Sequence, residues 1–289
     1  MVLLHGRSLA PHNRGMMKPL YMVIRITPKR VRDDLFKLQA FVSTVSSFAK
    51  NGHVEEFERI ENRWNTAKSE LSRKQVPTPL SDTALEHSLA GVAYLVHRHS
   101  FDPAWVDAFF KSMRWELQKH SYRSLKDLNE YMYGSAEVLG LMTARIIGLP
   151  DEHMKAVRCQ ARAIQYITFL RTIGEQNGRG FSYFPANDIK KYGLKNLSED
   201  EARKKPGMLA DFIHAELLRY AQWQADATED FAHIPRRYRV LLETLVDAHT
   251  ATARHLKYEP LSVYETSYTP RRRQLIGGVV RHSLKNRKY

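Results

Sequence analysis

The sequence predicts an all-α protein that forms a single domain of about ten helices. Apolar residues recur at spacings of three and four along most of the chain after Pro28, and almost no stretch alternates as a strand would. Connections between the periodic segments are short, and no unit of about 20 to 50 residues repeats, which excludes a solenoid. With 289 residues, 43% of them hydrophobic, the chain can bury a sizeable core and is too apolar to be disordered.

The first helix is predicted at 29–50, where an apolar stripe runs from Leu35 to Phe48 and ends at Asn51-Gly52. Further helices are predicted at 53–74, 82–99, 103–120, 125–148, 150–174, 206–231, 236–256 and 270–283. Between them, a glycine-containing loop is expected at 175–187 and a short turn at 188–194.

Several residues mark the expected helix starts. Ser81, Asp102 and Ser124 precede the third, fourth and fifth helices and can accept hydrogen bonds from free backbone N–H groups. Pro150 and Pro206 open two later helices, because proline is tolerated in the first turn.

The excess positive charge lies at the two ends of the chain. Residues 1–32 and 266–289 each contain seven Lys or Arg and no Asp or Glu, whereas the remaining residues contain 31 basic and 31 acidic side chains. Basic ends on a neutral body suit an anionic membrane surface at least as well as a nucleic acid, at about 1 kcal/mol for each cation near such a surface. The alternative is solvated tails. Nothing in the body indicates a specific nucleic-acid partner.

The expected organisation is a basic, flexible segment at 1–21 and a helical domain at 22–289 that ends in a basic helix. Glycine and proline recur in the first segment, and although it loosely resembles a transit peptide, these residues would break the amphipathic helix such a signal needs. The single cysteine, Cys159, excludes an internal disulfide and indicates a reducing compartment. The predicted location is cytoplasmic, or peripheral to the membrane, because no apolar run is long enough to span a bilayer.

Two segments differ in composition from ordinary surface helices. In 131–148, small residues recur along one helix, including Gly134 and Gly140. Glycine inside a helix costs about 1 kcal/mol relative to alanine, so these positions must admit a close neighbour, either another helix or a ligand. Spacing alone favours helix packing. In 161–194, a helix leads into a loop rich in groups that bind anions: Arg171, Arg179, Tyr183, Lys190 and Lys191.

These two segments resemble the squalene and phytoene synthase family. The family's Tyr-x-Tyr-x-x-Ala-Gly-x-x-Gly-Leu-Met helix is matched by Tyr131, Tyr133, Ala136, Gly140, Leu141 and Met142, with Glu137 replacing a glycine. Its later motifs are matched by Gln165, Leu170, Arg171 and Glu175, and then by Arg179, Gly180, Tyr183 and Pro185. The resemblance covers nearly all of the chain after residue 22. It implies the isoprenoid synthase fold, with a central cavity for one or two prenyl diphosphates.

The sequence departs from the family at both aspartate-rich segments, which hold magnesium in the family. The first segment, Asp-Asp-x-x-Asp, falls here on 46–50, and the second falls on Thr168, Thr172 and Gln176, so none of the acids remains. Magnesium prefers hard, anionic oxygen ligands in near-octahedral geometry. The family implies a magnesium cofactor, but its ligands are missing here and no metal site is predicted. The missing ions would otherwise stabilise the leaving diphosphate, and each ~1.4 kcal/mol lost costs about tenfold in rate.

The resemblance implies a substrate-binding site without assigning catalytic residues. Its expected members are Ser46, Ser47, Lys50, Tyr133, Glu137, Arg171, Thr172, Gln176, Arg179 and Tyr183. Lys50 reverses the charge of a family ligand position and could bind a phosphate together with the two arginines, although a lysine that extends to water is an equal interpretation.

The predicted function is binding, and conceivably transformation, of polyprenyl diphosphates. The family chemistry is the head-to-head condensation of isoprenoid and carotenoid biosynthesis by a prenyltransferase, but ordinary magnesium-dependent catalysis is not expected here. The alternative is a catalytically silent scaffold, as the family's complex I assembly factors are. Glu137 favours this alternative, since its carboxylate would obstruct or repel a diphosphate. Oligomeric state is not predicted.

Overall fold

The computed structural model describes residues 28–286 except for 74, 76, 77, 80, 119, 120, 230 and 266–271. All regular secondary structure in this part of the chain is helical, which confirms the all-α prediction. Its residues fall into two compact units, a first unit that ends at Arg162 and a second unit that begins at Ala163. The predicted boundary at 21/22 and most of the basic ends lie outside the described residues, so the proposed domain limits stay a prediction.

The first unit is built from helices that pack around a phenylalanine-rich core. The apolar stripe of the first helix is buried there, and the ring of Phe41 lies 5.6 Å from that of Phe109 and 5.7 Å from that of Phe110. The helices are α1 (Lys29–Asn51), α2 (Val54–Ser72), α3 (Ala84–His99), α4 (Pro103–Leu117), α5 (Leu125–Met132), a π-helical turn (Tyr133–Glu137), α6 (Val138–Ile146), a 3₁₀ turn (Asp151–His153) and the first part of α7 (Met154–Arg171).

The second unit begins within α7 and has a core of stacked aromatic rings. Phe169 on α7 stacks on Tyr183 at 3.9 Å, and Phe184 contacts Phe212 edge-on at 5.4 Å. The other helices are α8 (Ile173–Asn177), α9 (Ala186–Lys191), α10 (Glu199–Lys204), α11 (Pro206–Thr228), a 3₁₀ turn (Phe231–His233), α12 (Arg236–Tyr258), a second 3₁₀ turn (Pro260–Tyr264) and α13 (Arg272–Lys285).

Two of the three predicted N-caps are confirmed. Asp102 accepts a hydrogen bond from the Ala104 N–H at 2.9 Å, and Ser124 forms a reciprocal capping box with Asp127. The prediction for Ser81 is wrong, because α3 begins at 84 and Thr83 accepts the bond from the Glu86 N–H. An N-cap side chain reaches only the second or third residue of its helix, so Ser81 stands too early in the chain.

The close approaches at glycine are made by helices, as the spacing favoured. A Cβ atom on Gly134 would lie 2.0 Å from the Ala108 carbonyl oxygen of α4, and one on Gly140 would lie 3.1 Å from the Ala161 Cβ of α7. Gly134 lies in the π-helical turn, which interrupts the helix predicted as continuous over 125–148. An extra residue in a helical turn changes which side chains face each neighbour.

The prediction was also incomplete between 172 and 204. The helix predicted over 150–174 breaks at Thr172, and α8 extends to 177, inside the predicted loop. The turn expected at 188–194 is the short helix α9, and α10 was not predicted at all. No helix in the described ranges is long and apolar enough to cross a bilayer.

Candidate functional site

The residues expected at the first family segment lie at the end of α1 and face different surroundings. Ser46 is 1% exposed, and its hydroxyl points at the Met113 sulfur, 3.4 Å away. Ser47 is exposed and accepts a hydrogen bond from Asn51 at 3.2 Å, while Lys50 is half-buried. Adjacent helical residues point about 100° apart. The two serines therefore do not form a joint ligand set, and the nearby ammonium group would repel a cation.

Glu137 lies at the end of the π-helical turn and is fully buried, with two arginines of α7 on its carboxylate. Arg158 donates from Nε to Oε2 at 2.9 Å, and Arg162 donates from Nε to Oε1 at 2.7 Å. The guanidinium of Arg158 also lies over the Tyr133 ring, 5.4 Å from its centroid. Together the carboxylate and two guanidinium groups carry one net positive charge. The expected repulsion between Glu137 and a diphosphate is therefore opposed by its own partners.

The residues at the second family segment form hydrogen bonds with α7 and with the loop after α8. Thr168 donates to the Ile164 carbonyl at 2.8 Å, and Thr172 donates to the Thr168 carbonyl at 2.7 Å. Gln176 donates to the Phe169 carbonyl at 2.7 Å and accepts from the Tyr183 N–H at 3.2 Å. All three side chains are buried. Their hydrogen bonds thus stabilise the chain where α7 ends and α8 begins.

Arg171 and His249 lie in a poorly solvated part of the second unit and interact electrostatically. Burial lowers the pKa of Arg171, and attraction to Glu175 offsets this only in part. Burial and the positive charge of Arg171 together lower the pKa of His249 to about 4, so this histidine is neutral at pH 7. Its Nδ1 atom is buried without a hydrogen-bond partner among the described residues, and so is Glu175 Oε2. An anion would stabilise the positive charge there.

The last two predicted site residues differ in exposure. Arg179 is exposed in the loop after α8, where it is accessible to a ligand in solution. Tyr183 is 3% exposed and is enclosed by two rings, Phe169 in a stack and Phe181 edge-on at 4.7 Å.

The second unit also buries a polar cluster that sequence reasoning missed. Glu216 is 1% exposed and accepts hydrogen bonds from the Tyr166 hydroxyl and from Arg219, which also donates to Asp188 at 3.1 Å. Burial raises the pKa of Glu216, although its hydrogen-bond donors partly oppose this shift. The cluster joins α7, α9 and α11, and its two carboxylates share a single guanidinium group.

Arg158, Arg162 and His249 were also missed by sequence analysis. These residues differ in whether the sequence carried a signal for them. Arg158 and Arg162 are spaced by four residues on one helix face, a pattern that invites a search for a buried acid. His249 shows no local signal, because its surroundings depend on residues nearly 80 positions earlier in the chain.

The described side chains do not fit magnesium. No group of three or more His, Cys, Asp or Glu is arranged to hold a metal ion in the described ranges. The buried carboxylates are bonded to arginine, and the second family segment presents hydroxyls and an amide that are bonded to backbone. Magnesium chemistry therefore has no ligands among these residues, and no reaction step through it follows.

The backbone is that of an isoprenoid synthase, which confirms the predicted fold. A dehydrosqualene synthase crystal structure matches with a TM-score of 0.72 at 16% identity, covering 94% of this chain and 93% of that one. The squalene synthase HpnC from Alicyclobacillus acidocaldarius matches with a TM-score of 0.64 at 16% identity, covering 86% and 92%. The family model for squalene/phytoene synthase matches residues 14–275 of this chain. The chain belongs to this family.

Similarity to individual relatives is more limited. Phytoene synthase 2, chloroplastic, from Oryza sativa subsp. japonica is 30% identical over 132 residues, which is 43% of this chain and 33% of the relative. The 15-cis-phytoene synthase from Paracoccus is 26% identical over 107 residues, 37% and 35% respectively. The chain thus spans about a third of these two relatives. Presqualene diphosphate synthase from Rhodopseudomonas palustris is 27% identical over 208 residues, 70% and 71%.

Proposed function

We propose that this protein binds polyprenyl diphosphates directly through cationic side chains, without magnesium. The observation that carries the proposal is the buried guanidinium of Arg171, whose positive charge helps to lower the pKa of His249. A diphosphate would add negative charge beside this buried guanidinium, in addition to that of Glu175. Bidentate contacts between guanidinium and phosphate would add direction to the attraction.

Two features of the first unit support the same proposal. Lys50 places a cation where the family has an acid. The two arginines around Glu137 outweigh its charge, which removes the main electrostatic objection to an anionic ligand near this turn. Cations that bind a ground-state diphosphate supply affinity without necessarily lowering the barrier to its ionisation. The family's head-to-head condensation is therefore not the activity proposed.

A second candidate function is a catalytically silent scaffold. It is favoured by Thr172 and Gln176, whose polar atoms are already bonded within the chain and stabilise the break in the helix. On this hypothesis the fold persists for contacts with other proteins, and the second family segment has become structural.

A thermal-shift titration with farnesyl and geranylgeranyl diphosphate in EDTA distinguishes the two functions. We expect both ligands to raise the melting temperature without magnesium, because a ligand that binds only the folded state stabilises it, by about 2.7 kcal/mol at 100 times its Kd. Lys50→Ala and Arg171→Gln should each weaken binding about tenfold or more, as measured by calorimetry. Arg179→Gln tests the exposed arginine separately, in case replacement of Arg171 impairs folding.

Arg203→Gln is the matched control, because Arg203 is an exposed cation that pairs with Glu199 on the same helix. It should leave the ligand response unchanged. If neither ligand shifts the melting temperature, with or without magnesium, the scaffold is the better hypothesis. Formation of a squalene-like or phytoene-like product from radiolabelled substrate and magnesium would contradict our conclusion about the metal.

We also propose that the protein is cytoplasmic and associates peripherally with an anionic membrane. The support is the acid-free basic composition of both ends and the apolar chains of the proposed ligands. No specific nucleic-acid partner is proposed, since the residues between the ends are neutral overall.

A further inference from the structure

The outer side of α13 carries an unusual row of exposed apolar residues. Ile276, Val280 and Leu284 are 57%, 53% and 57% exposed, and their spacing of four places them along one side of the helix. Isolated apolar side chains on a surface are ordinary, but an exposed row on one helix indicates an interaction surface. We call these three residues the α13 stripe.

The opposite side of α13 packs against α12, so the α13 stripe faces away from the core of its own unit. A Cβ on Gly278 would lie 3.0 Å from the Thr244 side chain, which shows how closely the two helices approach. Asn286 donates to Glu243 at 2.7 Å, and Arg236 donates to the Ser283 carbonyl at 2.8 Å. These contacts hold the helix in one rotational setting with the stripe outward.

The charges around the stripe indicate the chemistry of its partner. Arg281 and Lys285 each follow a stripe residue directly and have side chains 64% and 67% exposed, although both lie near acids of α12. The sequence from 266 to 289 contributes seven cations and no acid. A second copy of the chain would bring a cationic segment against its own kind, which disfavours self-association through this helix. An anionic lipid surface offers both opposite charge and apolar depth.

We propose that α13 is the membrane-docking element of this protein, with the α13 stripe inserted among anionic lipids and the flanking cations at the headgroups. The inference rests on the proposed membrane association and deepens it, because it assigns docking to apolar insertion by one helix rather than to the basic ends alone. The binding strength of such a helix scales with its buried apolar area as well as with charge.

Vesicle co-sedimentation of the full chain tests the proposal. We expect binding to vesicles of phosphatidylcholine with phosphatidylglycerol, and weaker binding to phosphatidylcholine alone. The triple variant Ile276→Ser, Val280→Ser, Leu284→Ser should lose about tenfold or more in affinity for the anionic vesicles. Leu218→Ser is the matched control, because Leu218 is a 74% exposed leucine on a different helix, α11, and this variant should bind like the parent. The single variants repeat the test if the triple variant does not fold.

The outcomes separate the inference from the proposal beneath it. If the parent binds anionic vesicles and the triple variant binds equally well, the basic ends act alone and the inference is wrong. If the parent does not bind at all, membrane association itself is wrong. Light scattering of the parent that shows a dimer, converted to monomer by the triple variant, would identify a second copy as the partner and overturn the lipid assignment.

Discussion

The two units of this protein bury charge in opposite ways. In the first unit, Glu137 is fully buried but accepts from two arginines, so its charge is more than compensated within the chain. In the second unit, burial of Arg171 is only partly offset by Glu175, and the neighbouring His249 is kept neutral. In the first arrangement two cations surround one buried acid, whereas in the second a buried cation lowers the pKa of a neighbouring histidine.

This difference indicates how the two buried charges would respond to an ion from solution. A buried carboxylate that already has two guanidinium partners gains little from a divalent cation. Removing that carboxylate would leave the guanidinium groups without its negative charge. A desolvated guanidinium still gains from an anion supplied in solution. Glu216 is an intermediate case, since it shares one arginine with Asp188 and has a raised pKa.

The largest effect should come from removing the charge of Glu137. We expect Glu137→Gln to lower the free energy of unfolding by about 2–4 kcal/mol, because the half-buried Arg162 loses its anion while the more exposed Arg158 can turn to water. Glu216→Gln should cost about 1 kcal/mol, because burial already disfavours the charge of that carboxyl. Urea denaturation at pH 7 measures both.

The control for these two variants is Glu199→Gln, which removes an exposed carboxylate paired with Arg203. Such pairs contribute about 0–1 kcal/mol, so its urea midpoint should stay near that of the parent. Equal losses at Glu137 and Glu216 would contradict the contrast between the two units.

The helices were largely predictable because their apolar spacing dominates the sequence. The helix predicted over 29–50 is Lys29–Asn51 in the structure, and Pro206 opens α11 as expected. The failures lie where tertiary contacts override local pattern. Close packing of Gly134 on α4 accompanies the π-helical turn, and neither feature leaves a periodic signal. The start of α10 had an unused signal, Ser198 three residues before Glu201, a capping pattern.

The candidate site was less predictable than the fold. The resemblance identified positions where acids are missing, but it could not show that Gln176 bonds to the end of α7 or that Ser46 faces Met113. The two arginines on Glu137 lie 21 and 25 residues away in the chain, beyond any local pattern. The sequence therefore identified positions for comparison with the family but not the contacts that these side chains make in the fold.

The second prediction tests the interaction of Arg171 with His249 through the pH dependence of stability. The pKa of His249 is about 4 in the folded protein and 6.5 in its unperturbed state, so the unfolded chain binds the extra proton as the pH falls through this range. Stability is therefore lost on acidification between pH 6.5 and 4. Between pH 7 and 5, the free energy of unfolding of the His249→Asn variant should fall by about 2 kcal/mol less than that of the parent protein.

Arg171→Gln provides the companion measurement. Its positive charge is the second cause of the lowered pKa of His249, after burial, so its removal should raise that pKa and reduce the pH dependence in the same direction. Denaturation series at both pH values measure the difference. If the stability of the parent and of both variants depends on pH in the same way, the result would contradict the electrostatic contrast between the units.

The smallest effect on stability is expected at the first and second family segments. Gln176→Ala should cost about 1–2 kcal/mol, because it leaves the Phe169 carbonyl and the Tyr183 N–H without their buried partner. Ser47→Ala should change stability by less than about 0.5 kcal/mol, since Ser47 is exposed and its hydrogen bond from Asn51 is exposed as well. If Gln176→Ala is also neutral, its bonds do not stabilise the break in the helix, and its amide would be available to a ligand after all.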